Sequence, residues 1–143
     1  MAILQEGESV SVDEMVDLGT VPNGTAQWEK RGIAVDVPKW YEKKCIQCNT
    51  CSMVCPHAVI RPFLLTDEEA KGMVTLKAKG KEIKDYRFRI QISPLDCTGC
   101  GTCVTSCPTQ ALSMQYRNPK VDEEEGKNWV KCFGAPNLSL IHI

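Results

Sequence analysis

The chain has 143 residues, enough for one domain with some length left over as tail or linker. Its formal net charge of −1 lacks the basic excess that nucleic-acid binding needs, and no stretch approaches the roughly 20 apolar residues of a membrane span. Nine cysteines without a basic-then-apolar leader (Glu6 and Glu8 already break it) read as metal ligands in a cytoplasmic protein rather than a secreted disulfide frame.

Met1 to Trp40 carries no cysteine and little helical periodicity, with turn signals at Pro22-Asn23-Gly24, Gly32 and Pro38. It reads as an extended lead-in, residues 1–40, with a strand at Gly32 to Val37. Next comes an internal duplication. Cys45-Ile-Gln-Cys48-Asn-Thr-Cys51-Ser-Met-Val-Cys55-Pro56 matches Cys97-Thr-Gly-Cys100-Gly-Thr-Cys103-Val-Thr-Ser-Cys107-Pro108 in every spacing. Each half is expected to form a cysteine loop, a short helix around its third and fourth cysteines, and a strand. Between the halves, Thr66 to Lys79 is expected to be a helix, capped by Thr66 or Asp67, with Glu68 and Glu69 in its first turn and Gly80 as its stop. Tyr86, Phe88, Ile90 and Ile92 alternate with Arg87, Arg89 and Gln91, the pattern of a half-buried strand. Leu112, Met114 and Tyr116 repeat that pattern beyond the second run. An irregular tail is expected after it. The fold class is α+β: a duplicated ferredoxin-like domain over residues 41–117, with a short inserted helix between its halves.

The spacing C-x₂-C-x₂-C-x₃-C-P is the bacterial ferredoxin run, and it occurs twice. Three cysteines at two-residue gaps can wrap one cubane, while the fourth points away and, in two-cluster ferredoxins, ligates the other cluster. On that pattern, cluster 1 takes Cys45, Cys48, Cys51 and Cys107, and cluster 2 takes Cys97, Cys100, Cys103 and Cys55. Both are [4Fe–4S]. Gly99 and Gly101 allow the second loop to curl with φ > 0, Pro56 and Pro108 close each run, and Ile46, Met53, Val54 and Val104 are candidates to shield the clusters from water. Zinc is the rival metal, but its sites usually pair two separated CxxC knuckles. Cys132 stands outside both runs and reads as a plain thiol. His57 reads as a packing or surface residue, Asp122 to Glu125 as a solvated face, and Lys43 and Lys44 as surface charges able to tune cluster 1 or steer an acidic partner.

Words outside the ligand spacing also match a known family. Trp28-Glu29-Lys30-Arg31-Gly32-Ile33-Ala34, Val37-Pro38-Lys39-Trp40, Cys55-Pro56-His57-Ala58, Tyr86 to Gln91, Ser93 to Gly101, and Asn128-Trp129 closely resemble the long, single-chain pyruvate:ferredoxin (flavodoxin) oxidoreductases. The resemblance implies an inserted electron-relay domain. Its parent would convert pyruvate and coenzyme A to acetyl-CoA and CO₂, using thiamine diphosphate, Mg²⁺ and a third [4Fe–4S] cluster, none of them held by this segment. Electrons would leave through the eight cysteines' clusters to ferredoxin or flavodoxin, and the parent would be a homodimer. A relay for another 2-oxo acid and a free-standing ferredoxin are the alternatives. Residues 118–137 are expected to be a linker toward a missing thiamine-binding domain. Leu138 to Ile143 resembles the translation of a transposon-end adapter, so the chain reads as a fragment.

Overall fold

A computed structural model describes residues 30–135. The elements are β1 (Asp36–Trp40), α1 (Thr50–Met53), β2 (Ile60–Leu65), β3 (Leu76–Lys77), β4 (Arg87–Ile92), α2 (Thr102–Thr105), β5 (Leu112–Tyr116) and α3 (Pro119–Gly134). A single 3₁₀ turn, Glu42–Lys44, leads from β1 into the first cysteine run. The expectations for residues 1–29 and 136–143 lie outside the described residues.

The strands pair across the duplication. β1, ahead of the first run, pairs antiparallel with β5, which follows the second, from Asp36↔Tyr116 to Trp40↔Leu112. β4, ahead of the second run, pairs antiparallel with β2, which follows the first, from Ile60↔Ile92 to Leu65↔Arg87. Neither half can therefore complete its own sheet. The main core lies between the sheets and the cysteine runs: Ile60, Leu64, Phe88, Ile90, Ile92 and Leu112 pack with Cys51 and Cys103.

Five expectations are corrected, the last of them in part. The first strand begins at Asp36 and runs to Trp40, because Gly32 turns with φ 59° and gives its N–H to Leu95 rather than to β5. Thr66 to Lys79 is not a helix. Its capping box does form: Thr66 N–H donates to Glu69 Oε2 at 2.7 Å and Glu69 N–H donates back to Thr66 Oγ1 at 3.3 Å. The chain then completes only turns, reaches Gly72 at φ 80°, and gives Leu76 and Lys77 to the edge of β4. Tertiary pairing overrides local propensity there.

β4 is buried on both faces rather than one. Arg89 and Gln91 are as hidden as Phe88 and Ile90, because the tail covers them. That tail, expected to be irregular, is the longest helix described, α3. Asn118 caps it by accepting from the N–H groups of Lys120 and Val121 at 3.0 and 3.1 Å, and Pro119 opens it. Its inner face packs Trp129 and Phe133 on Phe63, with ring centroids 6.4 and 5.6 Å away. Glu125 accepts from Gln91 Nε2 at 2.6 Å and from Arg89 at 3.3 Å. Asp122 pairs with Arg117 at 2.8 Å. So only Glu123 and Glu124 of the acidic run behave as the expected solvated face.

Candidate metal centre

Each cysteine run begins as a loop with alternate left-handed residues. Gln47, Asn49 and Ala58 have φ of 64°, 59° and 50°; their counterparts in the second run, Gly99, Gly101 and Gln110, have 72°, 74° and 51°. This handedness turns successive peptides inward, so the thiols of the first three cysteines face one space. Each third cysteine then sits on a one-turn helix, Cys51 on α1 and Cys103 on α2, and both are buried. Cys55 and Cys107 follow those helices, in turns closed by Ala58 N–H to Cys55 O and by Gln110 N–H to Cys107 O, each 3.2 Å.

Two cavities result. One, with about 330 Å³ of space between atoms, is lined by Cys45, Cys48, Cys51 and Cys107, together with Trp40, Asn49, Ile90 and Leu112. The other, about 380 Å³, is lined by Cys55, Cys97, Cys100 and Cys103, with Pro38, Ile60 and Met114 among its walls. Three cysteines of one run and the fourth of the other thus meet on each cavity. All nine cysteines are unpaired. Cys132 is the one set apart, carried on α3 and buried against Phe63, Leu65 and Ala70.

The donor set fits a cluster better than a single ion. A tetrahedral zinc with bonds of about 2.3 Å draws its sulfurs to roughly 3.8 Å of one another. Among the described residues no group of three cysteine, histidine or acidic side chains converges in a way that could hold one metal ion. Four thiols spread around a cavity match a body that brings its own irons, one per thiolate. Backbone N–H groups already aim at sulfur: Gly99 at Cys97, 3.4 Å, and Ala111 at Cys107, 3.2 Å. Such donors stabilise the negative charge of a thiolate-bound cluster.

The thiols differ in acidity with their surroundings. Burial pushes Cys51 up to about 12 and Cys103 up to about 11, and repulsion from neighbouring thiolates adds to both. Burial also raises Cys97, against the Gly99 N–H. At Cys107 burial is outweighed by the Ala111 and Thr109 donors, and the thiol falls below its ordinary value. Cys100, near the surface, is lowered by the Thr102 hydroxyl and N–H. Buried thiols this reluctant to ionise need a cationic partner to exist as thiolates.

Of the expected shielding residues, Val104 packs on the main core, Val54 is half-buried, and Ile46, though partly exposed, lines the first cavity; Met53 is 84 % exposed. His57 is exposed at the rim of the second cavity, and Lys43 and Lys44 are exposed before Cys45. Sequence reasoning missed Gln47. Its amide donates to Lys77 O at 2.8 Å and accepts from Lys79 N–H at 2.9 Å, which ties the first loop to the segment around β3. Its place opposite Gly99 in the duplication was the available signal.

Comparison with known proteins agrees with this geometry. Residues 44–111 match the family described as a 4Fe–4S dicluster domain, so the body of the chain is a two-cluster iron–sulfur domain. Residues 1–34 match a family described as a domain of unknown function, EKR. The chain is 48 % identical over 113 residues to the pyruvate:ferredoxin oxidoreductase of Moorella thermoacetica, an alignment covering 76 % of this chain and 10 % of the relative. It is 49 % identical over 119 residues to a pyruvate-flavodoxin oxidoreductase of Klebsiella pneumoniae (78 % and 10 %). It is 47 % identical over 137 residues to a pyruvate dehydrogenase [NADP(+)] of Cryptosporidium parvum (92 % and 7 %). The chain is homologous to the segment of pyruvate:ferredoxin and pyruvate-flavodoxin oxidoreductases that carries their 4Fe–4S dicluster domain. It spans about a tenth of the length of those relatives.

Proposed function

We propose that this chain is the electron-relay segment of a longer enzyme that oxidises pyruvate with coenzyme A to acetyl-CoA and CO₂. Cys45, Cys48, Cys51 and Cys107 ligate cluster 1, and Cys97, Cys100, Cys103 and Cys55 ligate cluster 2. The observation that carries these ligand sets is the pair of cavities, each lined by three cysteines of one run and the fourth of the other. When bound, the clusters supply one-electron redox chemistry. The chain's own residues supply the thiolates, the N–H groups aimed at them, and the apolar walls that exclude water. Residues 41–117 form the cluster-bearing domain, and α3 is its outer layer rather than a linker. Carbon chemistry on thiamine diphosphate belongs to other parts of the enzyme, itself a homodimer. The electron acceptor is ferredoxin or flavodoxin, as the names of two relatives indicate. Unpaired cysteines suit the reducing cytoplasm, and among the described residues no helix is long and apolar enough to cross a membrane.

Iron and acid-labile sulfide analysis of the purified chain should return about eight of each, two cubanes' worth; zinc without sulfide would sink the reading. Cys55→Ala should abolish the cluster whose other ligands are Cys97, Cys100 and Cys103 while the first persists in EPR of the reduced chain. Loss of the first cluster instead would show that ligation is local to each run.

A further inference from the structure

Among the described residues, two buried side-chain polar atoms have no hydrogen-bond partner: Trp40 Nε1 and Asn49 Oδ1. Both residues line the same cavity, the one walled by Cys45, Cys48, Cys51 and Cys107. An indole N–H can only donate, and leaving it buried and unpaired carries a desolvation cost. Trp40 has little freedom to escape that cost. It ends β1 in register with Leu112, and its ring packs on the main core. Asn49 is held in the left-handed conformation at the head of α1. A half-turn of its carboxamide would offer the same space a second donor.

The duplication supplies a control within the chain. Five residues ahead of the first cysteine of each run stand Trp40 and Ile92, and four residues into each run stand Asn49 and Gly101. The second run therefore has no side-chain donor at either position. The second cavity has Pro38 and Ile60 in its walls where the first has Ile90 and Leu112, with no counterpart of the indole.

We infer that Trp40, assisted by Asn49, is a positioning residue that donates a hydrogen bond to a sulfur of the cluster seated among Cys45, Cys48, Cys51 and Cys107. This donor raises that cluster's reduction potential above the value it would have without the donor. The inference rests on the ligand sets proposed above. Its physical basis is that a donor to sulfur favours the reduced, more negative state of a cluster. The first cluster would then be tuned through side chains outside the cysteine pattern.

The test is an EPR-monitored redox titration of the cluster-loaded full chain, in wild type and in Trp40→Phe, which keeps a ring but not the N–H. One midpoint potential should fall and the other should stay. Pulsed ENDOR in H₂O and D₂O should show an exchangeable proton coupled to the cluster that moves, and this coupling should be lost in Trp40→Phe. Should that variant load clusters poorly, benzothienylalanine at position 40 keeps the indole's shape with sulfur in place of N–H and should give the same shift. Asn49→Gly, which copies Gly101, should lower the same potential further. Two potentials that do not move, or that move together, overturn the inference while leaving the two-cluster reading intact. A wild-type chain that takes up iron without sulfide overturns both.

Discussion

Gln47 and Gly99 occupy equivalent places in the two runs, and both have positive φ. At Gly99 the conformation needs no help, and a Cβ there would also meet the Asp36 carbonyl oxygen at 2.9 Å. At Gln47 the cost of left-handed backbone, roughly 1–2 kcal/mol, is offset by the side chain's two bonds to the backbone of Lys77 and Lys79. Gly99→Ala should therefore destabilise the second loop by at least about 2 kcal/mol, seen as a lower denaturant midpoint and faster iron release; an unchanged midpoint would contradict the close approach. Cys132 gives a separate prediction about pH. Burial pushes its thiol from 9.0 up to about 11, against the pull of Arg89 and Lys131 and with Glu125 and Glu69 adding to the rise. A raised folded-state value means that the neutral thiol's contribution is complete below pH 9.0 and is lost as pH climbs through about 11. Stability measured from pH 8 to 11 should fall more steeply in wild type than in Cys132→Ala. Parallel curves would show that Cys132 ionises as freely folded as unfolded.

At the level of elements, α3 is the largest departure from the sequence reading. Its start was visible in Asn118-Pro119 and in the acidic residues of the first turns, and its inner stripe in Trp129, Cys132 and Phe133. Gly126 in mid-helix and four consecutive charged or acidic positions made the segment look solvated. What holds it is a surface no local pattern reveals: Phe63 on β2, and Arg89 with Gln91 on β4. The rings add a cation–π contact, with the Arg61 guanidinium 5.2 Å from the Phe133 ring. Phe63→Ala should cost about 3 kcal/mol and leave a gap under α3. Amide exchange along 119–134 should speed up ahead of the exchange of β4; uniform protection would mean that α3 is held by something else. Thr66 to Lys79 fails in the opposite direction. Its cap signal is real and the capping box forms, but the backbone after it is claimed by the free edge of β4.

For the whole molecule, crossed strand pairing and the two mixed cysteine cavities are one fact. β1 joins β5 and β2 joins β4, so the strand leaving each run returns to the strand that introduced the other, carrying the fourth cysteine with it. The main core between them is modest and includes Cys51 and Cys103. Cluster removal by an iron chelator should accordingly unfold the body of the chain, with loss of far-UV ellipticity and of amide protection in both sheets together. An apo chain that keeps its β4 protection would show that the core suffices alone. The cysteine runs, their duplication, the strands at 86–92 and 112–116 and the dicluster nature of the domain were all legible in residue spacing, because thiolate geometry around a cubane tolerates little variation and strands repeat every second residue. Partners across space were not legible: the second face of β4, the helix that covers it, the clamp on Gln47 and the unpaired indole of Trp40. Each depends on which distant backbone or side chain arrives beside it, and local sequence periodicity carries no record of that arrival.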